Sequence, residues 1–412
     1  MWPRLWSPRG GVPRGPRVLL YSHDTYGLGH LRRSRAISIA LADAFPNASI
    51  LIMTGSPIVG RFDFPTGVDF VRVPGVVKLP SGDYATHNMN IDIAHTTELR
   101  QQMIAATAKS FEPDLLIVDK EPAGLRGEIL PTLEQLRRRG TRLVLGLRDV
   151  LDEPEALAEE WKRKRAIEIA SEYYDEFWIY GLQEIYEPLK GLPIPKAMRR
   201  RIRYTGYLRR EAPDWPDPAI ENPPRDPFVL VTAGGGGDGD WLMDWTLSAY
   251  EADPTLDTPA QLVFGPFMNP ESRREFERRS AALPMIESLS FDSRLERLMT
   301  EATGVIAMGG YNTFCEVLSF DKPAVIAPRT SPRLEQYIRA QAAEQLGLVR
   351  MLPSLGADRD PALRDPAVMA AAIRGLADQP KPSSVDAPGL LSGLEAVVGY
   401  AAPTLGRVQA AE

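Results

Sequence analysis

Three short stretches place glycine beside groups suited to proton, sugar or phosphate chemistry. The first, SHDTYGLGHLRRSRAISIA, runs from Ser22 to Ala40. It follows an apolar run, Val18 to Tyr21, turns on Gly27 and Gly29, sets His30 beside them and opens an amphipathic segment. An imidazole, with an ordinary pKa of about 6.5, exchanges a proton near neutral pH. A helix N-terminus favours its neutral form, which a general base needs. His30 reads as such a base, or as a helix cap with no proton to move. The second stretch, TAGGGGDGD, contains Gly234, Gly235, Gly236 and Gly237. Consecutive glycines lose much conformational entropy on folding, but their bare N–H groups at a helix start suit the oxygens of a diphosphate. The alternative is a flexible loop with no ligand. Asp238 and Asp240 have the Asp-x-Asp spacing that some transferases use for a divalent metal, although acids there more simply cap the next helix. The third stretch, Met308 to Arg329, reads MGGYNTFCEVLSFDKPAVIAPR. It predicts a strand end, a turn at Gly309 and Gly310, a cap from Asn312 or Thr313, and Glu316 on the first helical turn. A carboxylate there accepts two hydrogen bonds from a ribose diol, or merely stabilises the helix N-terminus.

The elements that must position these groups are legible as apolar runs. Strands are expected at Arg17 to Tyr21, Ser49 to Met53, Val68 to Val73, Asp114 to Val118, Arg142 to Leu147 and Asp175 to Tyr180. Helical spacing separates them, as at Ile37, Ala40, Leu41, Ala44 and Phe45, which share one stripe. A stretch with six prolines, Glu211 to Pro227, reads as a linker. Beyond it strands are expected from Phe228, at Gln261 to Phe264, Gly304 to Met308 and Ala324 to Ala327. Strand and helix alternate, so the fold class is α/β with two parallel-sheet domains. The expected division is a tail at 1–16, a first domain at 17–210, the linker at 211–227, a second domain at 228–388 and a terminal helix at 389–412. Ligands of open parallel sheets bind outside the carboxyl ends of the strands. By that rule VDKEP and GLRDV point Asp119, Lys120, Glu121, Arg148 and Asp149 into the cleft, as acceptor-binding groups or as surface salt bridges. An acid among them could also orient His30. The loop from Val76 to His95 reads as an acceptor lid or a plain connection.

Composition limits the partners. The 412 residues carry a net charge of −6, with 44% apolar and 25% charged residues. That excludes nucleic acid as the main partner, since backbone phosphates need a cationic surface. The basic run Lys196 to Tyr204 reads as a solvated face, which leaves peripheral contact with anionic lipid open. A single cysteine, Cys315, excludes an intramolecular disulfide and fits a reducing, cytoplasmic compartment. His23, His87 and His95 have no metal-ligand spacing. No apolar run approaches the roughly 20 residues that span a bilayer, and the opening residues lack the apolar centre of a signal peptide. Neither glycine loop keeps the G-x-G-x-x-G spacing of a dinucleotide dehydrogenase.

The third stretch resembles the donor-site motif of the MurG-like glycosyltransferases of family twenty-eight, through Gly310, Thr313 and Glu316. Downstream, SPRLEQYIRAQAAEQLGLV resembles the family segment with a sugar-contacting glutamine, matched by Gln336. The histidine loop resembles the family's amino-terminal glycine loop at Gly29 and His30, but has Tyr26 and Leu28 where glycines are usual. It is closer to the G-x-G-H-x-x-R of related UDP-sugar hydrolases, matched by Gly27, Gly29, His30 and Arg33.

The resemblance implies a GT-B fold, with a nucleotide-sugar donor held mainly by the second domain and an acceptor by the first. The acceptor would be a glycan, a lipid-linked molecule or a small molecule. The resemblance further implies inverting transfer with no metal or other cofactor, and a UDP-sugar as donor. His30 would deprotonate the acceptor hydroxyl. Backbone N–H groups of the glycine turns would stabilise the leaving diphosphate. A hydrolase or epimerase of the same fold, and a non-catalytic nucleotide-sugar-binding protein, are the competing readings.

Overall fold

The computed structural model describes residues 14–23, 29–79, 83–212, 227–290 and 295–410. Most of the expected tail, most of the linker, and Gly27 lie outside the described residues. The first half contains β1 (Arg17–Ser22), α1 (Gly29–Ala44), β2 (Ser49–Thr54), β3 (Val68–Arg72), β4 (Val76–Lys78), β5 (Tyr84–Thr86), α2 (Ile93–Phe111), β6 (Leu115–Asp119) and α3 (Leu130–Arg138). It continues with β7 (Arg142–Arg148), α4 (Pro154–Arg163), α5 (Ala166–Tyr173), β8 (Glu176–Tyr180), α6 (Lys196–Arg199) and β9 (Ile202–Tyr204). The second half contains β10 (Val229–Thr232), α7 (Asp240–Ala252), β11 (Ala260–Val263), α8 (Pro270–Ser280), β12 (Ile286–Leu289), α9 (Leu295–Glu301), β13 (Gly304–Ala307) and α10 (Tyr311–Ser319). It closes with β14 (Ala324–Ile326), α11 (Glu335–Gln345), β15 (Arg350–Met351), α12 (Pro366–Gly375) and α13 (Gly393–Ala410).

The first domain is a seven-stranded sheet in the order β3-β2-β1-β6-β7-β8-β9, with every neighbouring pair parallel. The second is a six-stranded sheet in the order β12-β11-β10-β13-β14-β15, again parallel throughout. Both strand orders reverse beside their first strand, between β1 and β6 in one sheet and between β10 and β13 in the other. Chains leaving neighbouring strands on opposite faces open a crevice at such a point. The central strands β1, β6, β10 and β13 are nearly continuous Val, Leu and Ile and are buried along almost their whole length, as strands covered by helices on both faces must be.

The 76–95 segment holds an antiparallel hairpin, β4 against β5. Asp92 caps α2 by accepting from the His95 amide, so that helix begins earlier than its apolar spacing indicates. The strands β9, β12 and β15 are too short or too polar to have been expected. The basic residues Lys196, Arg199, Arg200 and Arg203 are exposed. None of the described helices is long and apolar enough to cross a membrane. The last helix, α13, returns to the first domain. It buries Val397, Ala401 and Leu405, one turn apart along a single face, and its Tyr400 hydroxyl donates to the Tyr204 carbonyl of β9.

Candidate active site

His30 is the second residue of α1, directly after the β1 crevice turn, and Asp119 ends β6 on the other side of the same crevice. Their contact is 2.6 Å, from His30 Nδ1 to Asp119 Oδ2. Arg33, one turn along α1, donates through Nη2 to Asp119 Oδ2 at 2.6 Å and through Nε to Oδ1 at 3.3 Å. Burial alone would raise the Asp119 carboxyl, but Arg33 first and His30 second hold it far below the usual carboxylate range. Asp119 is therefore an anion and can only accept, so the shorter contact assigns the proton to His30 Nδ1, with Arg33 Nη2 3.1 Å from the same atom. The lone pair then sits on Nε2, free for a proton from elsewhere. His23 packs edge-on against His30, with ring centres 4.7 Å apart. Burial, then the neighbouring His30, lowers its pKa well below the ordinary value. His23 is thus a neutral wall, not a competing base.

In the second domain the two glycine turns meet at the other crevice. A Cβ on Gly234 would stand 3.8 Å from Thr313 Oγ1, and one on Gly310 would stand 4.0 Å from Gln336 Nε2. A Cβ on Gly236, by contrast, would strike the Phe264 carbonyl oxygen at 2.4 Å, and φ there is +83°. Gly236 is therefore required for packing. Gly235 and Gly237 meet only Phe267 at van der Waals distance, which leaves their backbone approachable. Gly309, with φ +75°, would collide through a Cβ with Ile326. Two expected caps are absent. Gly310 stands at the N-cap of α10 and Gly239 at that of α7, neither with a side-chain cap bond. Asp238 instead pairs with Arg329 at 2.7 Å. Gln336 Oε1 accepts from the Arg329 amide, so its Nε2 end remains toward the turn.

The two crevices confront each other. Asn312 does not cap its helix because its side chain bridges the domains. It donates to the Gly29 carbonyl at 3.1 Å and accepts from Arg210 at 2.8 Å. Arg32, two residues from His30, contacts both Glu296, at 2.6 Å, and Glu316. Glu316 is fully buried, and neither of its oxygens has a well-directed hydrogen bond. Burial pushes its carboxyl up to about 7 despite Arg32. It is thus placed beside the cleft but closed off by Arg32. Deeper in the seam, Arg339 of α11 grips Asp149 with two hydrogen bonds, 2.7 and 2.6 Å. Tyr207 donates to the same carboxylate.

The sequence-derived candidates therefore separate. His30, Gly29, Asp119, Gly234, Gly310, Thr313, Glu316 and Gln336 converge on the cleft. Asp119 has its oxygens engaged by His30 and Arg33 and does not stand free as an acceptor ligand. Asp149 is consumed by Arg339, and Glu121 is bound by Lys164 at 2.8 Å. The Arg148 side chain, at the end of β7, forms none of the ion pairs or hydrogen bonds found among the described residues, and its Nε is buried without a partner. Arg32, Arg210, Glu296 and Arg339 were missed, because their partners lie in the other domain and no local spacing announces them.

Residues 263–357 match the glycosyltransferase family 28 C-terminal domain. The match lies within the second domain. No curated protein sequence matches the chain. Solved structures agree along nearly its whole length. UGT2 of Phytolacca americana, complexed with UDP-2fluoro-glucose and pterostilbene, is 12% identical, with TM-score 0.59 over 96% of this chain and 98% of its own. MurG of Acinetobacter baumannii is 12% identical, with TM-score 0.52 over 93% and 98%. A putative UDP-N-acetylglucosamine 2-epimerase from Listeria monocytogenes is 12% identical, with TM-score 0.56 over 96% and 95%. The fold is GT-B, and the segment that matches the family 28 domain contains the Gly309–Gly310 turn, whereas Gly234 to Gly237 precede it.

Proposed function

We propose that this protein transfers a hexose from a nucleotide-diphosphate donor, a UDP-sugar, to an acceptor hydroxyl, with inversion and without a metal. The observation that carries the reading is His30, held through Nδ1–H by an ionised Asp119 at the mouth of the first crevice. Nε2 takes the proton of the acceptor hydroxyl as its oxygen bonds to the anomeric carbon. The bond from that carbon to the diphosphate breaks in the same displacement, and the electron pair leaves with the phosphate. Backbone N–H groups of Gly235, Gly237 and Gly310 stabilise the departing charge, whereas the Gly234 amide is already donated to the Thr232 hydroxyl at 3.1 Å. Thr313 and Gln336 border the sugar. Glu316 receives the ribose diol once Arg32 releases it. The family 28 domain supports the donor side of this reading. So does the similarity to UGT2, whose structure holds a UDP-sugar analogue. The test is a panel of nucleotide sugars screened by thermal shift, since a ligand of the folded state alone raises the melting temperature. Turnover of the best donor by the wild type and by His30→Ala follows. Retained turnover in the variant removes His30 from the mechanism.

A second reading, hydrolysis or epimerisation, is favoured by the Gly29, His30 and Arg33 pattern. Rapid sugar release from the donor with no acceptor present supports that reading, whereas slow leakage supports transfer.

A further inference from the structure

The first-domain strand ends hold two cations whose acids are shared with other cations. Lys120 follows Asp119 directly, with φ +70°, a left-handed conformation that a lysine seldom adopts. Its amide donates to the Gly146 carbonyl of β7 at 2.8 Å, which ties it to the strand that ends in Arg148. Its nearest acid, Glu121, stands 3.7 Å away, beyond hydrogen-bond distance, and is already held by Lys164. Arg148 has a buried Nε with no partner. Glu335, the acid that acts on it most strongly, is bound by Arg329 at 2.7 Å. Burial, aided by Arg333 and Arg148, brings the Lys120 ammonium down to about 8. Burial likewise lowers Arg148 to about 10. Each cation is thus under-compensated inside the cleft, on the strand ends beside the His30–Asp119 pair. Resting them only partly compensated in low dielectric is less favourable than in the presence of a further anion.

We propose that Lys120 and Arg148 form the receptor for an oxyanion, phosphate or carboxylate, carried by the acceptor. The proposal rests on the transferase reading and deepens it, because it defines the acceptor as a hydroxyl compound with an anionic substituent. The same cations could instead serve the donor's diphosphate, and the experiment separates the two sources. Inorganic phosphate is titrated by phosphorus NMR into the protein alone and into protein saturated with UDP, for the wild type, Lys120→Met, Arg148→Met and the charge-keeping Lys120→Arg. Near-identical circular dichroism and melting temperature establish that the variants fold.

The expected result is phosphate binding with UDP present, weakened at least tenfold in each Met variant and retained in Lys120→Arg, with UDP affinity changed less than twofold. Phosphate displaced by UDP, together with lost UDP affinity in the Met variants, overturns the proposal in favour of the donor's diphosphate. Phosphate binding that is absent, or equal in all variants, overturns it outright. Failure of the transferase reading appears separately, as no binding of UDP or dTDP to the wild type, and the nucleotide-free phosphate titration still reads the two cations.

Discussion

Breaking the Arg339–Asp149 pair tests whether the domains are locked by a buried charge or merely rest together. Both side chains are 1% exposed, so neither recovers hydration when its partner is lost. Asp149→Ala leaves the guanidinium with only the Gly309 carbonyl, which it reaches at 3.0 Å. Arg339→Met leaves a buried carboxylate with only the Tyr207 hydroxyl, at 3.0 Å. Removing one member of a buried pair costs about 3–5 kcal/mol, because an uncompensated charge remains. Removing both takes away the charge with its counter-charge. The double variant should therefore cost far less than the sum, giving a coupling of ~3 kcal/mol. Urea unfolding followed by tryptophan fluorescence measures all four forms. Trp161 and Trp178 report on the first domain, and Trp241 and Trp245 on the second. Burial also keeps the coupling insensitive to added salt. Costs that simply add, with coupling under about 0.5 kcal/mol, would show that the pair is not a lock and refute the reasoning.

Asp119→Asn should reduce turnover on the order of a thousandfold or more, because a carboxamide no longer fixes the Nδ1–H tautomer or stabilises the imidazolium. Steady-state kinetics of the best donor measure it, with donor affinity unchanged. His30→Ala should lose on the order of a hundredfold or more by the same assay. Glu316, with its carboxyl raised to about 7 from an ordinary value of 4.5, favours the folded state when protonated. Its contribution is whole below about pH 4.5 and is lost as pH rises through 7, amounting to at most ~3 kcal/mol. Melting curves of ligand-free protein should fall over that window in the wild type, with a visibly smaller fall in Glu316→Gln. Cys315 is fully buried, and its thiol is pushed up to about 11 by burial. A thiol reagent should therefore label it only after denaturant is added.

The sheets were legible because strands buried on both faces must be apolar throughout, as at Val18 to Tyr21 and Val229 to Thr232. β12, whose residues alternate between buried and exposed, and the two-residue β15 carry no such signal, since they lie at or near sheet edges. His30 and the glycine turns were legible because backbone approach demands specific residue types at fixed local spacing. The partnership of His30 with Asp119 was open only as one option among several acids, because β1 and β6 are brought together by topology alone. Arg32 shows the limit most clearly. It sits beside a singled-out histidine, yet its meaning depends on Glu296 and Glu316, which no sequence interval connects to it. Local rules offer Asn312 or Thr313 as a cap, and Asp149 as an acceptor ligand or a salt-bridge partner; the opposing domain claims Asn312 through Gly29 and Asp149 through Arg339.

The polypeptide passes between the domains twice, once between Ala212 and Pro227 and again where the segment before α13 leads back to β9. Two bodies tethered at two points are free chiefly to rotate about the line joining the tethers. Tyr207, whose amide donates to the Leu390 carbonyl at 2.7 Å, joins the end of the first domain to the segment that returns to it. A hinge opening that leaves this junction intact would part Arg32 from Glu296 and Glu316, and closing would restore both contacts.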